Sequence, residues 1–242
     1  MTKRLKRLLP CACLLCAGIV YLMVQNRWIQ VEELALAHAN IPAEYDGCRI
    51  AHISDTHLPR NRANVRKTIQ LTKKLKPDLI VMTGDLVHSY SDMESCGFAE
   101  LCAGLSEIAG VYAIKAKHDT WNDTEAWDQI ALDNGVILSE RLDLGGFTVL
   151  LSHDPKYFGR GEADLMLAGH IHGGQIRIPF LGGLLSPDLT FFPDYTSGLY
   201  ETPEGELLVV SRGIGNSVIP IRVNNRPHLP VIILKSIGEE QA

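Results

Sequence analysis

Five places in the chain carry side chains able to hold a metal or move a proton, and each follows an apolar run. "AHIS" leads into Asp55-Thr56-His57, and "LIVMT" into Gly84-Asp85. "VYAI" leads to Lys117-His118-Asp119, "VLLS" to His153, and "LMLA" to Gly169-His170-Ile171-His172. Imidazole with carboxylate suits divalent transition ions. An aspartate with two free oxygens can bridge two such ions, and two ions about 3.5–4 Å apart can clamp a phosphoryl group and activate a water for attack on phosphorus. A lone D-x-H or G-D is a weak signal. G-H-x-H after a strand is stronger, because residues i and i+2 of an extended segment point the same way. The ordered series at successive strand ends carries the expectation of a multi-part site.

Those residues need strands that stop at a common edge. "IQVEELAL" alternates and reads as a first strand. "DLIVMT", "VYAI", "FTVLLS" and "DLMLA" read as buried strands, as does the run ending at Ser54. Residues 63–75 carry an amphipathic pattern through Val65, Ile69, Leu71 and Leu75 and read as a helix. Residues 92–108 and 122–134 read as two more, the last capped by Asn122 or Asp123. Alternating strands and helices predict an α/β sandwich, with ligands outside the carboxyl ends of its strands. Residues 173–204 are rich in Gly, Pro and aromatics, and "ELLVVS" and "LPVIILK" read as closing strands of the same domain.

The chain has 242 residues, 46% of them hydrophobic, enough for one sizeable core. Residues 1–28 hold five basic residues and no acidic one, which leaves eighteen basic against twenty-eight acidic residues in the remainder. A body of that sign does not suit a general nucleic-acid partner, so none is expected. The stretch "LLPCACLLCAGIVYLMV", residues 8–24, is uncharged. As a helix it reaches about 26 Å at roughly 1.5 Å per residue, just enough to span a bilayer core of about 30 Å. Gln25 and Asn26 extend it, and Trp28 can anchor at the interface. Lys and Arg before it predict an N-terminus inside and a body outside the cytoplasm. A cleaved signal peptide is the alternative, with "AHA" at 37–39 as its cleavage site, although that lies well beyond the apolar run. Cys11, Cys13 and Cys16 lie in the apolar segment, and Cys48, Cys96 and Cys102 form no CxxC, so no disulfide framework is expected.

With "ISDTHL", "PDLIVMTGDLV", "VYAIKAKHD", "LLSHDP", "DLMLAGHIHGGQ" and "SRGIGNSVIPIR", the chain resembles the calcineurin-like metallophosphoesterases, in the bacterial branch with one membrane-proximal domain. The resemblance runs from about residue 45 to residue 234. It implies a fold of two packed β-sheets flanked by helices; with the charge and hydropathy pattern of the N-terminus, the chain divides into a basic tail 1–7, a transmembrane anchor 8–26 and a metallophosphoesterase domain 29–242. The resemblance implies that Asp55, His57 and His172 hold one divalent metal, that His153 and His170 hold a second and that Asp85 bridges them, the ions being Mn2+, Fe2+ or Zn2+. His118 would bind the phosphoryl oxygens and stabilise or protonate the leaving group, with Asp119 orienting it.

The chain looks shorter than the family usual near Ile137 to Phe147, where a peripheral strand or loop would be missing. Two adjacent positions also depart from the family. Its loop reads G-N-H-D or G-N-H-E, with the asparagine carbonyl a ligand of the second metal, whereas this chain has Ala116-Lys117. An ammonium group has donors and no acceptor, so it cannot ligate as asparagine does. Lys117 would lie back from a second metal held by Asp85, His153, His170 and water; or its charge would replace that metal and clamp phosphate; or the site is impaired.

Elsewhere, His52 reads as a core histidine, and His38, His88 and His228 as surface residues without a partner motif. Arg212 is a candidate for the rim of the site. "FLGGLLSPDLTFFPDY" reads either as a hairpin packed on the core or as a lip for membrane contact. The expected activity is metal-dependent hydrolysis of a phosphate ester or pyrophosphate, on a phosphorylated small molecule or a lipid-linked or nucleotide-lipid substrate. The alternative is an impaired, non-catalytic scaffold at the membrane. Some members of the resembled branch act on UDP-diacylglucosamine, which requires a cytoplasmic-facing site, opposite to the orientation that the basic tail implies. A metal-free nucleophilic hydrolase is disfavoured, since no G-x-S-x-G elbow is present.

Overall fold

The computed structural model describes residues 3–60, 62–216 and 220–237. The first two residues of the basic tail, residues 217–219 of "SRGIGNSVIPIR" and the last five residues lie outside that description. The chain begins with helix α1 (Lys3–Arg27) and strands β1 (Gln30–His38) and β2 (Arg49–Ile53). Then come α2 (Arg62–Leu75), β3 (Leu79–Thr83), α3 (Phe98–Ser106), β4 (Gly110–Ile114), the single turn α4 (Lys117–Thr120), α5 (Thr124–Asp133) and β5 (Val136–Leu138). The second half holds β6 (Arg141–Leu144), β7 (Phe147–Leu151), β8 (Leu165–Ala168), β9 (Arg177–Ile178), β10 (Gly182–Gly183), β11 (Gly198–Glu201), β12 (Leu207–Val210) and β13 (His228–Ser236).

Two sheets face each other. One has the order β1-β13-β2-β3-β4-β5, the other β11-β12-β8-β7-β6, and β9 and β10 form a small hairpin. The two C-terminal runs therefore close different sheets: β12 pairs with β8, and β13 lies between β1 and β2. Ile50, Val81, Ile232 and Leu234 from the first sheet meet Val149, Leu165, Leu167 and Val209 from the second in one buried layer. Strands with both faces covered must be apolar throughout, which is why they read as unbroken runs.

The helices cover one outer face only. Val65 of α2, Phe98, Leu101 and Leu105 of α3 and Trp127 of α5 bury against Ile53, Ile80, Met82 and Val111. Phe98 stacks on Trp127 at 4.7 Å. Truncation of such a fully buried aromatic costs about 3–5 kcal/mol. The opposite outer face, with Met166, Leu208 and Val210, is covered by Phe158 and Tyr195 from loops and by Tyr200 of β11. The helix expected over 92–108 begins only at Phe98, because Gly97 takes a left-handed φ of 95° that a continuing helix cannot hold. Asp123 caps α5 by accepting from Glu125 and Ala126. His52 is fully buried, its Nε2 2.8 Å from Thr83 Oγ1 on the neighbouring strand.

Within α1, Pro10–Arg27 is long and apolar enough to cross a membrane, and none of that window is buried. Its last turns touch the body. Tyr21 donates to Asn224 at 2.6 Å, Gln25 accepts from the Asn225 backbone at 2.9 Å, and Asn26 accepts from the Arg222 backbone at 3.1 Å.

Candidate metal centre

The strand ends deliver their residues through strained turns. Asp55, His57, Asp85, His170 and His172 all have φ between 46° and 69°, a region that non-glycine residues seldom occupy. Such strain persists only where the surroundings hold it, and it clusters at functional sites. Here backbone bonds tie the turns together: Asp55 N donates to Gly84 O at 3.1 Å, His57 N to Asp85 O at 3.1 Å, and His170 N to the Asp55 carboxylate at 3.2 Å. Gly84 is needed for more than its φ of 86°, since a Cβ there would lie 2.5 Å from Ala116 Cβ. That close approach brings the His118 loop against the Asp85 turn, and His118 N donates to Asp85 Oδ1 at 2.9 Å.

Two groups of ligand-type atoms result: Asp55 with His57 and His172, and Asp85 with His153 and His170, each within 4.8 Å of one another. His57 Nε2 is 3.1 Å from His172 Nε2, which is 3.3 Å from Asp55 Oδ1. His153 Nε2 is 3.2 Å from Asp85 Oδ2 and 3.9 Å from Asp55 Oδ1, so the groups are neighbours. Two ligands each about 2.1 Å from one ion lie roughly 3.0–3.4 Å apart at octahedral to tetrahedral angles. The observed separations fit a shared cation. The hydrogen bonding agrees: among the described residues, the buried His153 Nε2 has no aligned hydrogen bond despite its short approach to Asp85.

Electrostatics point the same way. Burial drives His57 down to about 3 and His172 well below the usual range, so both are neutral, the form that ligates. Burial raises the Asp55 carboxyl. Burial also opposes charge on Asp85 and His153, but their mutual contact wins: Asp85 is held below the usual carboxylate range and His153 is lifted to about 9. Two adjacent buried carboxylates call for positive charge here, which a protonated imidazole or a bound cation supplies.

The structure adds residues that the sequence reading missed. His153 Nδ1 donates to Thr83 O at 2.8 Å, which turns Nε2 toward Asp85. Asp188 accepts from His170 Nε2 at 3.0 Å. The fully buried Arg222 reaches His172 Nδ1 at 3.3 Å, and Asn225 donates to His172 O at 2.7 Å. His88 is not a lone surface residue: its ring stacks on His118 at 5.0 Å, and these two rings with His57 form a third close imidazole group. Asp119 does not reach the His118 ring. Its buried carboxylate accepts from Val87 N, Ala116 N and Trp127 Nε1, and burial raises it to about 7. It ties two loops together, while Ser89 contacts the imidazole. His228 is fully buried at 2.9 Å from Glu32, and Arg212 sits beside them rather than on the rim.

The groups open onto a cleft of about 580 Å³ walled by Lys117, His118, Trp121, Lys156, Pro187 and Asp188, among others. A larger hollow of about 690 Å³ lies elsewhere, between Arg160 and Glu206, and brings together none of the ligand groups. Lys117 Nζ lies 5.0 Å from the centroid of the Trp121 ring, a cation–π contact on the cleft wall.

The sequence profile of the calcineurin-like phosphoesterase superfamily domain matches residues 48–178. The chain is 27% identical over 258 residues to the uncharacterized metallophosphoesterase YkuE of Bacillus subtilis, covering 88% of each protein. It is 26% identical over 232 residues to the phosphodiesterase YaeI of Escherichia coli, covering 77% of this chain and 82% of that one. It is also 26% identical to a transmembrane protein with metallophosphoesterase domain of Danio rerio, covering 85% of this chain and 57% of that protein. A solved archaeal phosphodiesterase superposes with a TM-score of 0.53 at 15% identity, over 80% of this chain and 96% of that one, a likeness of fold.

Proposed function

The chain belongs to the calcineurin-like phosphoesterase superfamily, and from that premise we propose that it is a membrane-anchored hydrolase of a phosphate ester or pyrophosphate bond. The observation that carries this reading is the convergence of two His/Asp groups, with ligand atoms 3.1–3.3 Å apart, at the floor of one cleft. Asp55, His57 and His172 would hold one divalent ion; His153 and His170 would hold the other, with Asp85 bridging. Bound ions of this kind supply Lewis acidity and an activated water. The protein's own part is orientation and proton handling. His118, on the cleft wall with Nε2 4.0 Å from Asp85 Oδ2, faces the leaving group and donates a hydrogen bond or a proton to it. Lys117 and Lys156 bring positive charge to the mouth, where a phosphate anion enters.

Of the three readings of Lys117, its seat on Trp121 favours an ammonium lying back from the second metal. The apolar α1 and the phosphodiesterase and transmembrane relatives support a phosphorylated substrate presented at a membrane, lipid-linked in the narrower form of the proposal. The basic tail favours an extracytoplasmic catalytic domain, the cytoplasmic face being the alternative; reporter fusions at the C-terminus decide between them.

The decisive experiment is metal analysis of the purified full chain with turnover of bis(p-nitrophenyl) phosphate under manganese. Two ions per chain and turnover abolished in His118→Ala are expected. The second reading, a non-catalytic scaffold, rests on Lys117 alone. It prevails if the natural chain is inert and Lys117→Asn creates turnover.

A further inference from the structure

We propose that the double hairpin over residues 176–192 is a bilayer-contact surface, seated at headgroup level beside α1 and forming one wall of the cleft. The first hairpin pairs β9 with β10, and the second pairs Leu185 with Phe191 and closes from Ser186 N to Thr190 O at 3.0 Å. Apolar side chains on this segment point to solvent. Phe180 is 106% exposed, Leu181 67%, Leu189 66%, Phe191 68% and Phe192 54%. A soluble surface seldom gathers large apolar side chains in this way, and such patches mark contact with protein or membrane.

The occupant follows from what lies beside the hairpin. Val223 O accepts from Arg177 N at 2.9 Å, Asn224 donates to Arg177 O at 3.2 Å, and Asn224 Oδ1 accepts from Tyr21 OH at 2.6 Å. One residue therefore joins β9 to the apolar helix. Tyr21 precedes Arg27, the end of α1, by six residues, about 9 Å at roughly 1.5 Å per residue. Tyrosine and tryptophan favour the headgroup layer, and Trp28, 57% exposed with the Arg226 guanidinium 5.8 Å from its ring centroid, marks the same level. A hairpin bonded through Asn224 to the last turns of a spanning helix shares that depth. The second hairpin reaches back to the site: Pro187 and Asp188 line the cleft, and Asp188 bonds His170. A phosphate held in the bilayer surface would meet the cleft along this wall. That consequence rests on the proposed hydrolase, whereas the contact does not.

The test uses the full chain in phosphatidylcholine vesicles, with Phe180→Trp and Phe191→Trp each made on a Trp28→Phe background, and the emission of that parent, which keeps Trp121 and Trp127, is subtracted. Lipids brominated in their acyl chains should quench the new tryptophans at least twofold. Ile137→Trp, on β5 at the far edge of the first sheet from β1, is the control. Quenching no stronger than in the control overturns the contact, and so does emission that is blue-shifted but unquenched, which means that protein covers the hairpin. Bis(p-nitrophenyl) phosphate turnover in the same vesicles reports the hydrolase separately, so either idea can fail alone. The combined Phe180→Ser, Leu181→Ser, Phe191→Ser and Phe192→Ser variant should lose about tenfold on vesicle-embedded phosphatidyl-p-nitrophenol and nothing on the soluble diester. Equal change on both substrates removes the role in substrate access.

Discussion

Ser89 Oγ stands 2.6 Å from Nδ1 of His118. The contact fixes the ring with Nε2 toward Asp85 and the cleft, and the partner at Nδ1 selects the tautomer. Ser89 follows Asp85 on the same loop, so the segment that presents a carboxylate also aims the imidazole. Ser89→Ala is expected to lower kcat for bis(p-nitrophenyl) phosphate about tenfold with little change in KM, and Ser89→Thr to restore most of it. Steady-state kinetics of both variants decide this. Equal loss in both would mean that the contact only packs the loop.

Metal and fold should be thermodynamically linked. A ligand that binds only the native chain at a hundred times its Kd stabilises it by about 2.7 kcal/mol. Chelation should therefore lower Tm by several degrees, and added Mn2+ should restore it. Asp85→Asn leaves His153 without its nearest carboxylate and should remove most of that response together with at least one ion per chain. Calorimetry with elemental analysis measures both.

Lys117→Asn replaces a cation on the cleft wall with an acceptor. With the ammonium lying back on Trp121 at 5.0 Å, the substitution should tighten the weaker metal roughly tenfold, because an oxygen ligand is gained where a charge is lost. Turnover should rise modestly at limiting Mn2+ and little at saturation. Metal titration of the two proteins side by side reads the difference.

His52 makes stability sensitive to acid. Burial holds it to about 3, against an ordinary value of 6.5. As pH falls the unfolded chain takes up this proton first, so stability is lost from about 6.5 down toward 3, at up to about 1.4 kcal/mol per pH unit. Above about 6.5 the residue adds no slope. His52→Gln should be less stable at pH 7, yet the gap should narrow as the pH approaches 5. Urea unfolding across that range tests the sign.

Much of the site was legible because it obeys local rules. Asp55, His57, Asp85, His153, His170 and His172 each follow an apolar run, and a strand buried on both faces cannot be written otherwise. Lys117 stands out against the family pattern by residue type alone. By contrast His88 looked like a lone surface residue, because its neighbours His57 and His118 come from different loops. Asp188 lies eighteen residues from His170 and Arg222 fifty from His172, spacings that no helical or strand period relates. Asp119 adjoins His118 in sequence yet bonds Val87, Ala116 and Trp127, because adjacency along the chain says nothing about where a side chain turns.

The sequence alone determined the central strands and their helices, the apolar helix, the residue types proposed for a two-ion centre and the lysine out of pattern, all of which depend on neighbours along the chain. The short strands β5 and β6, where a strand looked to be missing, were not legible in it. Only the tertiary structure decided which atoms meet. It set His57 against His172 across one hundred and fifteen residues, aimed His118 through Ser89, and bonded the end of α1 to the segment that carries Arg222 and Asn225. Those contacts arise from two sheets closing on each other, and the free energy of that closure belongs to no single stretch of the chain.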